Sequence, residues 1–318
     1  MQGVFLDLAT VSRDDLDLSG LRAALNGLDT HALSDHGQTL ARVADAEVII
    51  TNKIRVDAAV IAAAPRLKLV CLAATGHNNV DLAAASEAGV AVTNVRDYCT
   101  AAVAQHVFAL ILALNQHLAE YQQALADGAW RDSPQFCLLN WPLRELAGQR
   151  LGIIGHGVLG RAVARLGEAF GMEVLLAQQP GGEDRRPGRL PLNELLPQVD
   201  VLSLHCPLTP ATRHLIDADA LKRMRPQALL INTARGAIVD SAALAEAIRA
   251  GWIGGAGIDV LSQEPPIDGD PLLELDHPRL ILTPHIAWAS REARQRAVDD
   301  IAANVRAFVA GRPRNLVS

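Results

Sequence analysis

Between Val4 and Val95, four short apolar runs, GVFLDL, AEVIITN, LKLVCLAA and VAVTNV, alternate with Ala- and Leu-rich stretches of helical period. Strands buried on both faces read as unbroken apolar runs, whereas the helices between them show a period near 3.6, so this stretch predicts a parallel sheet with crossover helices. The segment from Thr100 to about Asp127 is too long and too evenly periodic for a strand. Gly128 closes it, and the pattern predicts one long helix that bridges two lobes. After Glu145 the alternation resumes with RLGIIGHG, MEVLLA, VDVLSLH, ALLINTA, IGGAGIDV and RLILTPH as strand candidates, a second α/β unit. From Ser290 to Ala310 the chain predicts an amphipathic helix stopped by Gly311 and Pro313. Trp130 to Trp141, with Phe136 between, has no clean period and reads as an irregular arm laid over a surface, with the other subunit of a dimer as a candidate partner.

A length of 318 residues exceeds one ordinary domain and fits two, each able to bury its own core. Half the residues are hydrophobic and only 3% aromatic, so Ala, Leu and Val must fill the interior. The net charge of -6 supplies no basic field for nucleic acid, and no Lys/Arg run points to an anionic membrane surface. Cys71, Cys99, Cys137 and Cys206 are scattered without metal-ligand spacing, so they read as reduced thiols and no metal site is expected. The N-terminal stretch is acidic rather than leader-like, and no run of about 18 apolar residues occurs. A cytoplasmic setting is the expectation.

Leu151 to Gly160 read LGIIGHGVLG: an apolar strand, then Gly155-His156-Gly157-Val158-Leu159-Gly160, then the helical RAVARLGEAFG. A dinucleotide pyrophosphate needs helix N-terminal N–H groups and a backbone with no side chains in the way, which is what glycines at this spacing supply. The strand–turn–helix context raises a spacing that is weak on its own to a prediction of a coenzyme site. Where MEVLLA ends, Gln178 stands in the place at which an NAD-selective site usually puts an acid. Arg185 and Arg186 follow, so NADP is admissible beside NAD, although a solvated charged loop accounts for those arginines equally well.

Reduction of a 2-keto acid beside such a coenzyme needs a cation for the carboxylate, a proton donor for the carbonyl oxygen and a group that keeps the donor charged. Arg235 in NTARG offers a guanidinium that can clamp a carboxylate with two hydrogen bonds. His285 in TPHI offers the proton, and Glu264 in SQEPP the partner that stabilises an imidazolium. Singly, each reads more readily as a salt-bridge partner, a structural histidine or a loop charge. Their order after the glycine motif is what gives the set its weight.

Together with ATGHNNVDL, NVRDYCTAAVAQHVFALILAL and PHIAWAS, these motifs resemble the D-isomer-specific 2-hydroxyacid dehydrogenase family, and within it the glycerate dehydrogenase or hydroxypyruvate reductase group, over nearly the whole chain. The resemblance implies two Rossmann-like domains with parallel sheets and an active-site cleft between them. Residues 1–98 with 289–318 would bind substrate, residues 99–288 the dinucleotide, with hinges near Val95 to Thr100 and Ala287 to Ser290. It implies that Arg235 binds substrate, that His285 is the acid–base group and that Glu264 orients it. The backbone at Thr75 and Gly76 would receive the carboxylate. Cys206, Pro207 and Thr212 would surround the adenosine, Thr233 and Ala234 would line the coenzyme, and Asp259 would face the nicotinamide carboxamide. It implies a homodimer and a small 2-keto or 2-hydroxy acid as partner. His106 reads as a packed, hydrogen-bonded histidine; Gln105 stands where many relatives have Glu, and His77 replaces a smaller residue near the carboxylate loop. Two alternatives stay open: the same chemistry on another 2-keto acid, and a coenzyme-sensing binding module of the corepressor type, which shares the fold.

Overall fold

The computed structural model describes residues 1–181 and 186–317, so Arg185 lies outside the described residues. The chain divides into two compact units, Met1–Cys99 with Trp288–Ser318, and Thr100–Ala287.

In the first unit, β1 (Gln2–Phe5), β2 (Gly27–Thr30), β3 (Val48–Thr51), β4 (Leu69–Leu72) and β5 (Ala91–Thr93) form a parallel sheet in the order β2-β1-β3-β4-β5. The crossovers carry α1 (Ser19–Arg22), α2 (His36–Arg42), α3 (Ala58–Ala62) and α4 (Leu82–Glu87). Asp35, Asp57 and Asp81 start the last three, each carboxylate accepting the backbone N–H three residues on, which satisfies an otherwise orphaned donor. β3 and β4 are buried at every position, the physical basis of their unbroken apolar runs. β2 escaped the pattern because GLDT is an edge strand with no fully buried position. After β4 comes the Thr75–Gly76 turn, tied down by Thr75 Oγ1 donating to Val95 O at 2.9 Å and Asn94 Nδ2 donating to Thr75 O at 2.7 Å.

The second unit begins with α5 (Thr100–Asn115) and α6 (Leu118–Ala126), two helices meeting at 54° where the sequence pattern predicts one. His117 breaks the run with φ +52 and bonds through Nδ1 to Glu120 Oε1 at 2.7 Å, while Arg279 Nη1 donates to the Leu114 carbonyl and caps α5 from far along the chain. Then follow β6 (Arg150–Ile154), α7 (Val158–Ala169), β7 (Glu173–Ala177), β8 (Arg189–Leu190), α8 (Leu192–Leu195), β9 (Val201–Leu204), α9 (Ala218–Arg223), β10 (Leu229–Asn232), α10 (Ser241–Arg249), β11 (Gly255–Ile258) and β12 (Leu280–Leu282). The seven strands are parallel in the order β12-β11-β10-β9-β6-β7-β8. The chain runs outward from β6 to β8 and returns to β9, so the winding reverses between β6 and β9, where α/β sheets open a crevice at the strand C-termini.

α11 (Arg291–Val309) returns to the first unit, capped by Ser290 Oγ accepting the Ala293 amide and ended at Gly311 with φ +69. Its Ala293, Ala297, Val298, Ile301 and Val305 are buried, the face the period predicts. Among the described residues no single helix is long and apolar enough to cross a membrane.

Candidate active site

All strands of the larger sheet point the same way, so the loops after β6, β9, β10, β11 and β12 emerge on one edge. β6 is anchored by Ile153 and Ile154, both fully buried, each burial contributing roughly 1.5–3 kcal/mol. It therefore delivers a rigid turn. Gly155 has φ +94, and a Cβ there would fall 2.5 Å from the Cys206 amide nitrogen, so only glycine fits. A Cβ on Gly160 would fall 2.0 Å from Gly155 O, which fixes how tightly α7 abuts the strand. Gly157, the N-cap of α7, is different: nothing lies within 4 Å of where its Cβ would be. Val158 is exposed and Leu159 half-buried at the first turn of α7, which leaves the N–H groups of that turn open to an anion.

Beside this turn lies a cavity of about 260 Å³ bounded by Gly155 and Gly157, by Cys206, Pro207 and Thr212, and by Gln179, Arg186 and Arg189. Thr212 Oγ1 donates to Pro207 O and accepts the Thr209 amide, both at 2.7 Å, which folds the loop after β9 into a compact wall. Burial pushes the Cys206 thiol up to about 11, so it is wall and not nucleophile. Burial first, and then the cations Arg189, Arg161 and Arg186, hold His156 below its ordinary value. β7 stops at Ala177; the backbone N–H of Gln178 donates to Leu190 O, and the next residue, Gln179, lines the cavity.

Arg235 follows β10 in extended backbone, exposed, its Nη1 donating to Ala234 O at 2.7 Å. Asn232 shapes this turn, donating to Arg235 O and accepting the Ala234 amide. Thr233 Oγ1 is buried with no hydrogen-bond partner among the described residues, a cost that an external acceptor or donor would relieve. Gly236 packs so closely on the loop after β11 that a Cβ would lie 2.0 Å from Leu261 C, and Leu261 N in turn donates to Glu264 Oε1 at 3.0 Å. The turn holding Arg235 thus rests on the loop holding Glu264. Across from it, His285 Nδ1 lies 2.7 Å from Glu264 Oε2. Asp259, 1% exposed, accepts three hydrogen bonds on its carboxylate, from the Thr283 hydroxyl and from the amides of Ile286 and Ala287.

A dinucleotide fits this edge on three counts: the glycine turn is free of side chains at Gly157, the cavity beside it carries two guanidiniums, and the Thr233 hydroxyl has no partner among the described residues. Residues 108–287, more than half of the chain, match the sequence model of the D-isomer specific 2-hydroxyacid dehydrogenase NAD binding domain. The chain belongs to the D-isomer-specific 2-hydroxyacid dehydrogenase family. It is 46% identical to a glycerate dehydrogenase of Methylorubrum extorquens over 280 residues, 88% of each chain. It is 35% identical to a hydroxypyruvate reductase of Blautia hydrogenotrophica over 323 residues, 100% of each. The solved TT0316 protein from Thermus thermophilus superposes with a TM-score of 0.86 at 37% identity over 100% of both chains.

The chain is therefore a dehydrogenase with a nicotinamide coenzyme, and the fold expected from the sequence, α/β with parallel sheets, is the fold observed. Residues that sequence reasoning passed over in this dehydrogenase are Asn232, Thr283, Gln179 and Arg189. Asn232 had a signal, a polar residue directly after an apolar strand in NTARG; Thr283 and Arg189 acquire meaning only from partners remote in sequence.

Proposed function

We propose that this dehydrogenase reduces a small 2-keto acid, hydroxypyruvate or glyoxylate, to D-glycerate or glycolate, and catalyses the reverse oxidation. The observation that carries the reading is the 2.7 Å contact of His285 Nδ1 with Glu264 on loops adjoining the Arg235 turn. Glu264 claims Nδ1, so Nε2 is the nitrogen that exchanges a proton with the substrate oxygen. Arg235 takes the substrate carboxylate. The coenzyme, when bound, supplies a hydride to C2 or accepts one from it. His285 then gives the Nε2 proton to the oxygen as the carbonyl π pair collapses onto it, and Glu264 stabilises the imidazolium before that transfer. In the other direction neutral His285 removes the hydroxyl proton. Asp259 keeps one of its roughly four acceptor positions for the nicotinamide carboxamide. The relatives named above act on glycerate and hydroxypyruvate, which supports the substrate class.

For the coenzyme, the finer reading is NADP-leaning use. The described lining of the cavity contains Arg186 and Arg189 and no carboxylate, which favours a 2′-phosphate over a bare ribose hydroxyl. The working assembly is a homodimer through the arm at Trp130–Trp141, where Phe136 is 91% and Leu139 76% exposed.

The test is oxidation of NADH and NADPH over hydroxypyruvate, glyoxylate, pyruvate and longer keto acids. Hydroxypyruvate or glyoxylate should give the highest kcat/KM, and His285→Ala should lower turnover by roughly two or more orders of magnitude. A wild-type protein that oxidises neither coenzyme with any of these acids ends the reading.

A further inference from the structure

We propose that His106 is a positioning residue for the acid–base group, acting through Thr283 and Asp259 to hold the His285 loop in its working conformation; this rests on the reading of His285 as that group. Helix and strand register places it there. α5 crosses β11 where the strand is Gly255-Ala256-Gly257, and the missing side chains let the helix approach: a Cβ on Gly257 would lie 2.9 Å from Leu110 Cβ, and one on Gly255 3.4 Å from Leu114 Cδ2. Four helical residues advance about 6 Å and two strand residues about 6.6 Å, so the two elements stay in step. Leu114 meets Gly255, Leu110 meets Gly257, and the next step sets His106 beside Asp259.

The contacts follow that step. His106 Nε2 lies 3.0 Å from Thr283 Oγ1 and 3.6 Å from Asp259 Oδ1. Thr283 has a single hydroxyl proton and donates it to Asp259 Oδ1, so its oxygen receives from His106, whose Nε2 must carry a proton. Asp259 passes the constraint on. Its carboxylate accepts the amides of Ile286 and Ala287 at 2.9 Å each, and its carbonyl accepts the His285 amide at 2.8 Å. These bonds bracket His285, whose φ of +54 is a left-handed conformation that a residue with a side chain adopts only when held there. From that backbone the ring reaches Glu264. A side chain that merely filled space between α5 and β11 would need no donor at Nε2, and Leu, as at positions 110 and 114, would serve.

Three variants of the full chain test this. His106→Leu removes the donor, Thr283→Val cuts the same link with a side chain of equal shape, and His106→Gln offers an amide N–H in place of Nε2. The primary readout is the hydrogen-bonded Nδ1–H proton resonance of His285, observed by NMR on histidine-labelled protein and assigned by its loss in His285→Asn. In His106→Leu and Thr283→Val it should move upfield as the contact with Glu264 loosens, and kcat should fall roughly tenfold, within the range that small misplacements of a catalytic group produce. His106→Gln should return both toward wild type, and the Leu/Val double variant should be no worse than either single change. An unmoved resonance in both His106→Leu and Thr283→Val overturns the proposal, as does a double variant whose losses simply add. The resonance needs no turnover, so a wild-type protein that reduces no keto acid would defeat the proposed function while the resonance still decides the role of His106.

Discussion

His285 Nδ1 and Glu264 Oε2 lie 2.7 Å apart, joined across 21 positions of sequence by the loops that follow two adjacent strands, β11 and β12. Glu264 is held from the other side, its Oε1 accepting the Leu261 amide. Replacing Glu264 by Gln keeps the shape and an acceptor for Leu261 and removes only the charge that favours an imidazolium. The expected outcome is a loss of roughly 10- to 100-fold in kcat/KM. Because the overall equilibrium is independent of the enzyme, the loss should be equal in both directions at one pH, and Glu264→Ala, which also orphans the Leu261 amide, should lose more. Steady-state kinetics of reduction and oxidation check this; a Gln variant within twofold of wild type would leave Glu264 without an electrostatic role.

The three glycines of the coenzyme turn should separate into structural and functional classes. Gly155→Ala and Gly160→Ala each drive a Cβ into backbone, at 2.5 Å and 2.0 Å respectively, and neither backbone has room to give. Each should cost roughly 3 kcal/mol or more, at the severe end for single substitutions. Gly157→Ala meets nothing within 4 Å, so its cost should not exceed about 1 kcal/mol, the value of a poorer N-cap. Its methyl group instead occupies the approach of the pyrophosphate, and coenzyme KM should rise roughly tenfold, about 1.4 kcal/mol. Thermal melts paired with coenzyme titrations distinguish the two classes, and a Gly157→Ala protein with unchanged coenzyme affinity would argue against this seat.

What the sequence made legible follows from where each signal resides. VIIT, LVCL, VLSL and LLIN are buried at every position, so burial wrote itself into the sequence as apolar runs. Arg235, Glu264 and His285 were singled out as residue types that such chemistry uses in loops after apolar runs, and the pairing of two of them, His285 with Glu264, is a contact that no local pattern shows. The break at His117 was not legible, because no Gly or Pro marks it; Arg279, 162 residues away, caps the Leu114 carbonyl in the last turn of α5. The apolar run MEVLLA and β7 both end at Ala177, and Gln178 was chosen as the first polar residue after it; nothing in the sequence separates it from its neighbour Gln179, which lines the cavity. The two-residue β8, which brings Arg189 to the cavity, is too short to leave a period.

His205 supplies a pH dependence of stability. Burial lowers it to about 4, and its Nε2 shares a 2.9 Å hydrogen bond with Ser203 Oγ. The unfolded chain has the ordinary histidine value near 6.5, so between 6.5 and 4 the unfolded state binds more protons than the folded one. Stability therefore rises with pH across this window: it is fully present above the upper value and lost progressively below it, by up to about 3 kcal/mol from this group. Carboxylates add their own slope at the acid end, so the decisive comparison is wild type against His205→Gln. Urea denaturation at pH 7 and pH 4.5 should show the Gln variant losing less stability on acidification; parallel losses in the two proteins would remove His205 as the cause.

Arg189 should decide between the two coenzymes. It reaches the cavity, which Gln179 also lines, from the edge strand β8, and after burial it is the largest cause that holds His156 below its ordinary value, ahead of Arg161 and Arg186, a sign of the positive potential at this wall. A 2′-phosphate meeting a guanidinium makes a charge-assisted hydrogen bond, worth roughly 1.5–3 kcal/mol. Arg189→Gln should accordingly reduce kcat/KM for NADPH by roughly 10- to 100-fold. NADH has only a hydroxyl at that position, which the Gln amide can still meet, so its kcat/KM should stay within about twofold. Measured with one keto acid at fixed ionic strength, the ratio of the two coenzymes isolates Arg189 from any general effect on folding or on hydride transfer. Equal losses with both coenzymes would mean that Arg189 supports the wall without reading the phosphate, and the NADP-leaning assignment would then have to rest on Arg186 alone.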